Sequence, residues 1–159
     1  MAGQQEKQEG ITLTEAQQEI LTSVLDTVIP PDGDLPGAGE AGVTDYIDDV
    51  LTESESLRRL FLNGLADIEI ASGESYSAVF ESLPGEQKTN ALLLVQAEHP
   101  AFFQLLVEHA YKGYYSDPDV VRLLGLETRP PQPEGYDLRR FDPATLNTVK
   151  DRGQVYREA

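Results

Sequence analysis

No cysteine occurs anywhere in the chain. That absence excludes disulfides, thiolate metal sites, cysteine nucleophiles and thioether-linked haem together. Basic residues are scarce: 12 Lys and Arg stand against 28 Asp and Glu, a formal net charge of −16. A surface this negative repels phosphate backbones, which argues against nucleic-acid binding, and anionic membranes are disfavoured for the same reason. No apolar run approaches the ~20 residues of a membrane span, so direct membrane insertion is not expected. Only two histidines are present, His99 and His109. Their spacing is not the i, i+4 pair that holds a metal on a helix face. His99, before Pro100, reads as an exposed loop residue, and His109 as the flank of a helix. GxxxxGK[ST] does not occur, and the GxGxxG spacing of Gly37-Ala38-Gly39-Glu40-Ala41-Gly42 follows no strand pattern, so it is not a dinucleotide fingerprint. Asp32-Gly33-Asp34 lacks the remaining ligand register and the closing glutamate of a calcium loop. Carboxylate pairs such as Asp48-Asp49 are too common among 28 acids to mark a dyad.

What remains is a chain of 159 residues, 40% hydrophobic and 25% charged. That suits one soluble domain with a genuine core and an appendage. The acid is unevenly placed. Residues 1–125 hold 22 acids and 6 bases, whereas residues 126–159 hold 6 of each. Such an acidic body is read in two ways, as a solvated surface that aids solubility or as a face for a basic partner.

The patterning is helical throughout, and no convincing alternating strand appears. In 14–29, Thr14 and Gln17 have capping-box spacing, and Ile20, Leu21, Val24, Leu25, Val28 and Ile29 form one stripe before Pro30 and Pro31. A Pro-, Gly- and acid-rich loop over 30–42 must lie on the surface or against something else. A second helix places Val43, Tyr46, Ile47, Val50 and Leu51 on one side. A third, capped by Ser54 or Ser56, carries Leu57, Leu60, Phe61, Leu65 and Ile68. Gly64 inside it predicts close helix packing. A short helix is predicted over 75–83 with Tyr76, Val79, Phe80 and Leu83 inward, and the next starts at Pro84 with Leu92, Leu93 and Val95 buried. From Pro100, Phe102, Phe103, Leu106, Val107, Ala110, Tyr111 and Tyr114 make a broad aromatic face. Asp117 is a good N-cap, with Pro118 in the first helical position and Gly125 as the stop. The fold class is all-α: an irregular bundle of about seven short helices over 13–125, after a flexible N-terminus at 1–12.

Residues 126–159 differ. Prolines cluster before Asp137 and recur at Pro143, which favours extended backbone, with a short helix possible only at 143–150. Tyr136, Leu138, Phe141 and Leu146 are too apolar for an idle linker. The segment reads as an arm that wraps a partner or folds back on its own bundle. The residue chemistry, without an evident active site, is that of an interaction protein.

Four stretches, in order, then carry a resemblance: "ILTSVLDTVIPPDGDLPGAGEAGVTDYIDDVL" (20–51), "FLNGLADIE" (61–69), "FESLPGEQKTNALL" (80–93) and "FFQLLVEHAYKGYYSDP" (102–118). Their pattern is a helix ending in Asp-x-x-Ile-Pro, a Pro-Gly-Ala loop, a Tyr-Ile-Asp helix, and a double Phe leading to Gly-Tyr-Tyr-Ser-Asp-Pro. It resembles the gluconate 2-dehydrogenase subunit 3 family over roughly 13–125. The resemblance implies a small subunit, without catalytic residues, cofactor or metal of its own. Its partner would be a large FAD-dependent dehydrogenase of the glucose-methanol-choline type that oxidises a sugar or sugar-acid alcohol. An electron-accepting subunit is a further possible partner. Family members commonly carry a twin-arginine signal, and "MAGQQEKQEG" has neither that pair nor an apolar core. The expected location is the cytoplasm, or the periplasm if a signal was removed or travels on the partner.

Within that frame, Gly113 to Asp117 forms the elbow that directs the arm. The expected partner contacts are Tyr114, Tyr115, Asp117 and Pro118 at the elbow, with Tyr136, Leu138, Arg139, Arg140 and Phe141 on the arm, because Arg and aromatics dominate interface hot spots. For Tyr114, plugging the bundle's own end is an equal reading. A transient maturation chaperone and a stand-alone acid-rich enzyme are the alternative functions.

Overall fold

The computed structural model describes residues 13–126, and the expected N-terminus and nearly all of the expected arm lie outside them. Among the described residues there are six α-helices and no strand: α1 (Glu15–Val28), α2 (Val43–Glu53), α3 (Glu55–Tyr76), α4 (Gly85–Glu98), α5 (Pro100–Ser116) and α6 (Pro118–Leu123). A single 3-10 turn, Phe80–Ser82, lies between α3 and α4.

The helix starts follow their caps. Thr14 accepts from the Gln17 amide while the Gln17 side chain accepts from the Thr14 amide, a complete capping box. Ser54 caps α3 by accepting from Leu57 N at 3.3 Å. Asp117 caps α6, accepting from Asp119 N and Val120 N at 2.9 Å each, with Pro118 in the first turn. Gly125 follows in the left-handed region at φ 73°, where glycine is unstrained.

The core is one cluster drawn from every helix, with Leu21, Val24, Leu25, Ile47, Leu51, Phe61, Leu65, Ile68, Phe80, Phe102, Leu106 and Val120 sealed from solvent. Its centre is an edge-to-face pair, Phe61 on α3 and Phe102 on α5, with ring centroids 5.5 Å apart. Gly64, one turn beyond Phe61, lies directly against the Phe102 ring, and a β-carbon there would collide with it. The close packing expected at this glycine is therefore present.

Three expectations need correction. The predicted helix over 75–83 does not form. Instead α3 runs on to Tyr76, past Gly73, and Ser77 ends it in the left-handed region at φ 55°. Of the remainder only the 3-10 turn is helical, and Val79 is 62% exposed. Leu93 is 53% exposed and not buried, because Ala91, Leu92 and Val95 already form the inward side of α4. Tyr111 is 46% exposed, on the outer side of α5 rather than its inner aromatic face.

Candidate functional site

Parts of two of the stretches that carry the resemblance, 20–51 and 102–118, meet at one corner of the bundle. Asp26, near the end of α1, turns its carboxylate onto the loop that follows. Its Oδ1 accepts from Gly39 N at 2.7 Å and from Glu40 N at 3.4 Å. The loop must come close to be held this way. A β-carbon at Gly37 would collide with the Asp26 carboxylate, and one at Gly39 would sit 2.6 Å from the Thr22 carbonyl oxygen. Ala38 between them is fully buried, and its amide donates to Ile29 O at 3.0 Å. The loop lies against its own bundle, fastened there.

The far end of α5 supplies the second fastening. The Tyr114 hydroxyl donates to Pro36 O at 2.8 Å, joining residues 78 apart in the chain. Burial, then Tyr115 and Asp32 nearby, push the Tyr114 hydroxyl above its ordinary pKa, so it remains a donor. Gly113 brings α5 onto the start of α2, where a β-carbon would sit 2.7 Å from the Tyr46 ring and 2.8 Å from Val43. Thr22 on α1 and Thr44 on α2 share a hydroxyl hydrogen bond of 2.8 Å beside them.

The two tyrosines of the elbow thus face opposite ways. Tyr114 points inward and plugs the corner. Tyr115 is 52% exposed and stacks on Tyr111, with ring centroids 5.9 Å apart and planes inclined by 4°. Tyr114 meets Tyr115 edge-on at 5.4 Å. Asp117 and Pro118 build the start of α6, which packs on α5. The other expected contacts, Tyr136, Leu138, Arg139, Arg140 and Phe141, lie outside the described residues. Leu123, Leu124 and Leu126 are exposed just before them.

Sequence reasoning missed Tyr111 as a surface residue. The signal was there: Gln104, Glu108, Tyr111 and Tyr115 recur at helical spacing, and all four are exposed. It was hidden by the aromatic content around it, which reads as core.

A separate cleft of about 540 Å³ opens between α3 and the α4–α5 junction. Leu60 and Phe102 wall it, and Asp67, Glu98 and His99 supply its charge. His99 is exposed as expected but engaged: its Nε2 lies 3.3 Å from Asp67 Oδ2. This carboxylate–imidazole pair has no serine, threonine or cysteine beside it in the lining to act as a nucleophile. Among the described residues no group of three His, Cys, Asp or Glu side chains is placed to hold a metal ion. His109 lies on the flank of α5, packed between Tyr46 and Phe61 at centroid distances of 6.3 and 6.2 Å, and its Nδ1 is buried without a partner.

The family model described as gluconate 2-dehydrogenase subunit 3 matches residues 15–124. The chain belongs to this family. No curated protein and no solved structure matches it. The family match spans nearly all of the described bundle, from α1 to the end of α6. In this subunit 3 chain Asp26 holds the loop at Gly37 and Gly39, Tyr114 holds it at Pro36, and Gly113 seats α5 on Val43 and Tyr46 of α2. The family is that of an auxiliary subunit of a dehydrogenase complex.

Proposed function

We propose that this chain is the non-catalytic small subunit that binds, stabilises and helps mature a large FAD-dependent dehydrogenase of the glucose-methanol-choline type. The large subunit would oxidise an alcohol carbon of a sugar or sugar acid and would hold the flavin, while this chain holds no cofactor. The observation that carries the reading is the family match over 15–124. The local geometry supports it, since the family-like polar residues close a corner of the scaffold. Tyr115 offers the amphipathic surface favoured at interfaces. The segment 126–159 extends the contact by wrapping the partner. Assembly takes place in the cytoplasm, and a partner bearing an export signal would carry the complex to the periplasm.

Co-expression with a candidate flavoprotein dehydrogenase, sought among the neighbouring genes, tests the reading. Stable co-elution at equal stoichiometry with a yellow partner is expected, together with loss of soluble, flavin-loaded partner when this chain is omitted. Release of this chain once FAD is loaded would convert the role to that of a transient chaperone. Turnover of a sugar, or tight flavin binding, by this chain alone would overturn it. Removing 126–159 is expected to lower recovery of the complex, and unchanged recovery would refute the wrapping role.

A further inference from the structure

The outer stripe of α5 combines two features that point to a particular contact chemistry. The first is the stacked pair Tyr111 and Tyr115, both about half exposed on the same side of the helix. The second is charge. The described residues include 20 Asp and Glu but 5 Lys and Arg. Three of those bases are engaged with acids on their own helices: Arg59 with Glu55 at 3.5 Å, Lys112 with Glu108 at 2.6 Å, and Arg122 with Asp119 at 2.6 Å. Lys88 lies over the Phe80 ring, 5.7 Å from its centroid. Lys112, the base nearest the tyrosine pair in sequence, is thus held by Glu108.

We propose that Tyr111 and Tyr115 dock an arginine-bearing, basic surface of the catalytic partner, the guanidinium lying on the exposed tyrosine ring. This rests on the subunit reading above and adds the partner's chemistry to it. A guanidinium is the side chain that joins positive charge to a flat face able to stack on an aromatic ring, and its weak hydration lets it leave water readily. The surplus of acid supplies the long-range attraction, and the tyrosines supply the short-range site. A second copy of this chain does not fit the face, because it would bring the same net negative charge.

The test is the affinity of the full chain for the flavoprotein within the co-expressed complex, measured at 50 and 300 mM NaCl by displacing bound, labelled wild type with each unlabelled competitor. Wild type is compared with Tyr115→Phe, Tyr115→Leu and the double variant Tyr111→Leu/Tyr115→Leu. Phenylalanine keeps the ring and is expected to bind within about twofold of wild type. Leucine keeps apolar area without the ring, and roughly five- to thirty-fold weaker binding is expected. Binding of wild type should weaken at the higher salt. Both side chains are exposed, so unchanged melting curves will confirm that the variants fold. If wild type binds and the double leucine variant binds equally well, this inference falls and the subunit reading stands. Equal losses for phenylalanine and leucine would also overturn it, by assigning the contact to the hydroxyl. If wild type does not bind the flavoprotein at either salt, the subunit reading falls and this inference with it.

Discussion

Asp26 and Tyr114 show how one residue can fix a loop that has little apolar content of its own. These two side chains and the buried Ala38 fasten the loop over 30–42 and offset part of its ordering entropy. Replacing Asp26 with alanine strands the part-buried Gly39 amide and should cost roughly 1–3 kcal/mol in urea unfolding. Tyr114→Phe keeps the ring in place and loses one hydrogen bond to Pro36, so about 0.5–1.5 kcal/mol is expected. A reversed order of the two losses would mean that Tyr114, not Asp26, is the main clasp. His109 gives a pH dependence. Burial first, then the Lys112 charge, hold its pKa below the ordinary 6.5, while Glu108 opposes them weakly. The unfolded chain therefore binds the proton more readily than the fold does. Stability from this group is full above pH 6.5 and declines as the pH falls below it. His109→Leu should flatten the melting-temperature profile between about pH 5 and 7 relative to wild type. Parallel profiles would show that the imidazole is protonated at no cost.

At the scale of elements, the two glycines of α3 separate packing from propensity. Gly64 meets the Phe102 ring, whereas a β-carbon at Gly73 would meet nothing within 4 Å. Gly64→Ala should therefore cost about 1–3 kcal/mol through overpacking. Gly73→Ala should add about 0.4–1 kcal/mol by restricting the unfolded chain and favouring helix. Urea titrations of both variants check the opposite signs. The same contrast explains what could be read from sequence. Gly64 sits in a strong apolar stripe, so its helix and its tight packing were both legible. Gly73 lies among "ASGESYS", where no stripe says whether the helix continues, and the break was placed too early. Helix starts at Thr14, Ser54 and Asp117 were legible because each is specified by a local hydrogen bond. The exposure of Leu93 and Tyr111 was not, since which side of an apolar helix is covered depends on its neighbours. Nor was the clasp between Tyr114 and Pro36, which joins positions 78 residues apart with no periodic signal. At the elbow, Tyr115 is exposed and Tyr114 turns inward, a difference set by that clasp and not by residue type.

The whole molecule is dominated by charge of one sign, and that sets two responses to salt in opposite directions. With a net charge of −16, the isolated chain pays self-repulsion in the compact state. The ion pairs that relieve it, such as Arg59–Glu55 and Arg122–Asp119, are exposed and short-range, so they offset little of it. Screening reaches ~10 Å at 0.1 M salt and ~3 Å at 1 M, which removes the many long-range repulsions before it removes the few close attractions. The melting temperature of the isolated chain should therefore rise between about 20 and 500 mM NaCl. The complex with a basic partner should weaken over the same range, because there screening removes attraction. Measuring both on one preparation distinguishes the two views of the acidic surface. A rising melting temperature with salt-insensitive association would leave the acid as a solubility device alone. A rising melting temperature with weakening association is expected of a body whose charge is destabilising by itself and complementary to what it binds.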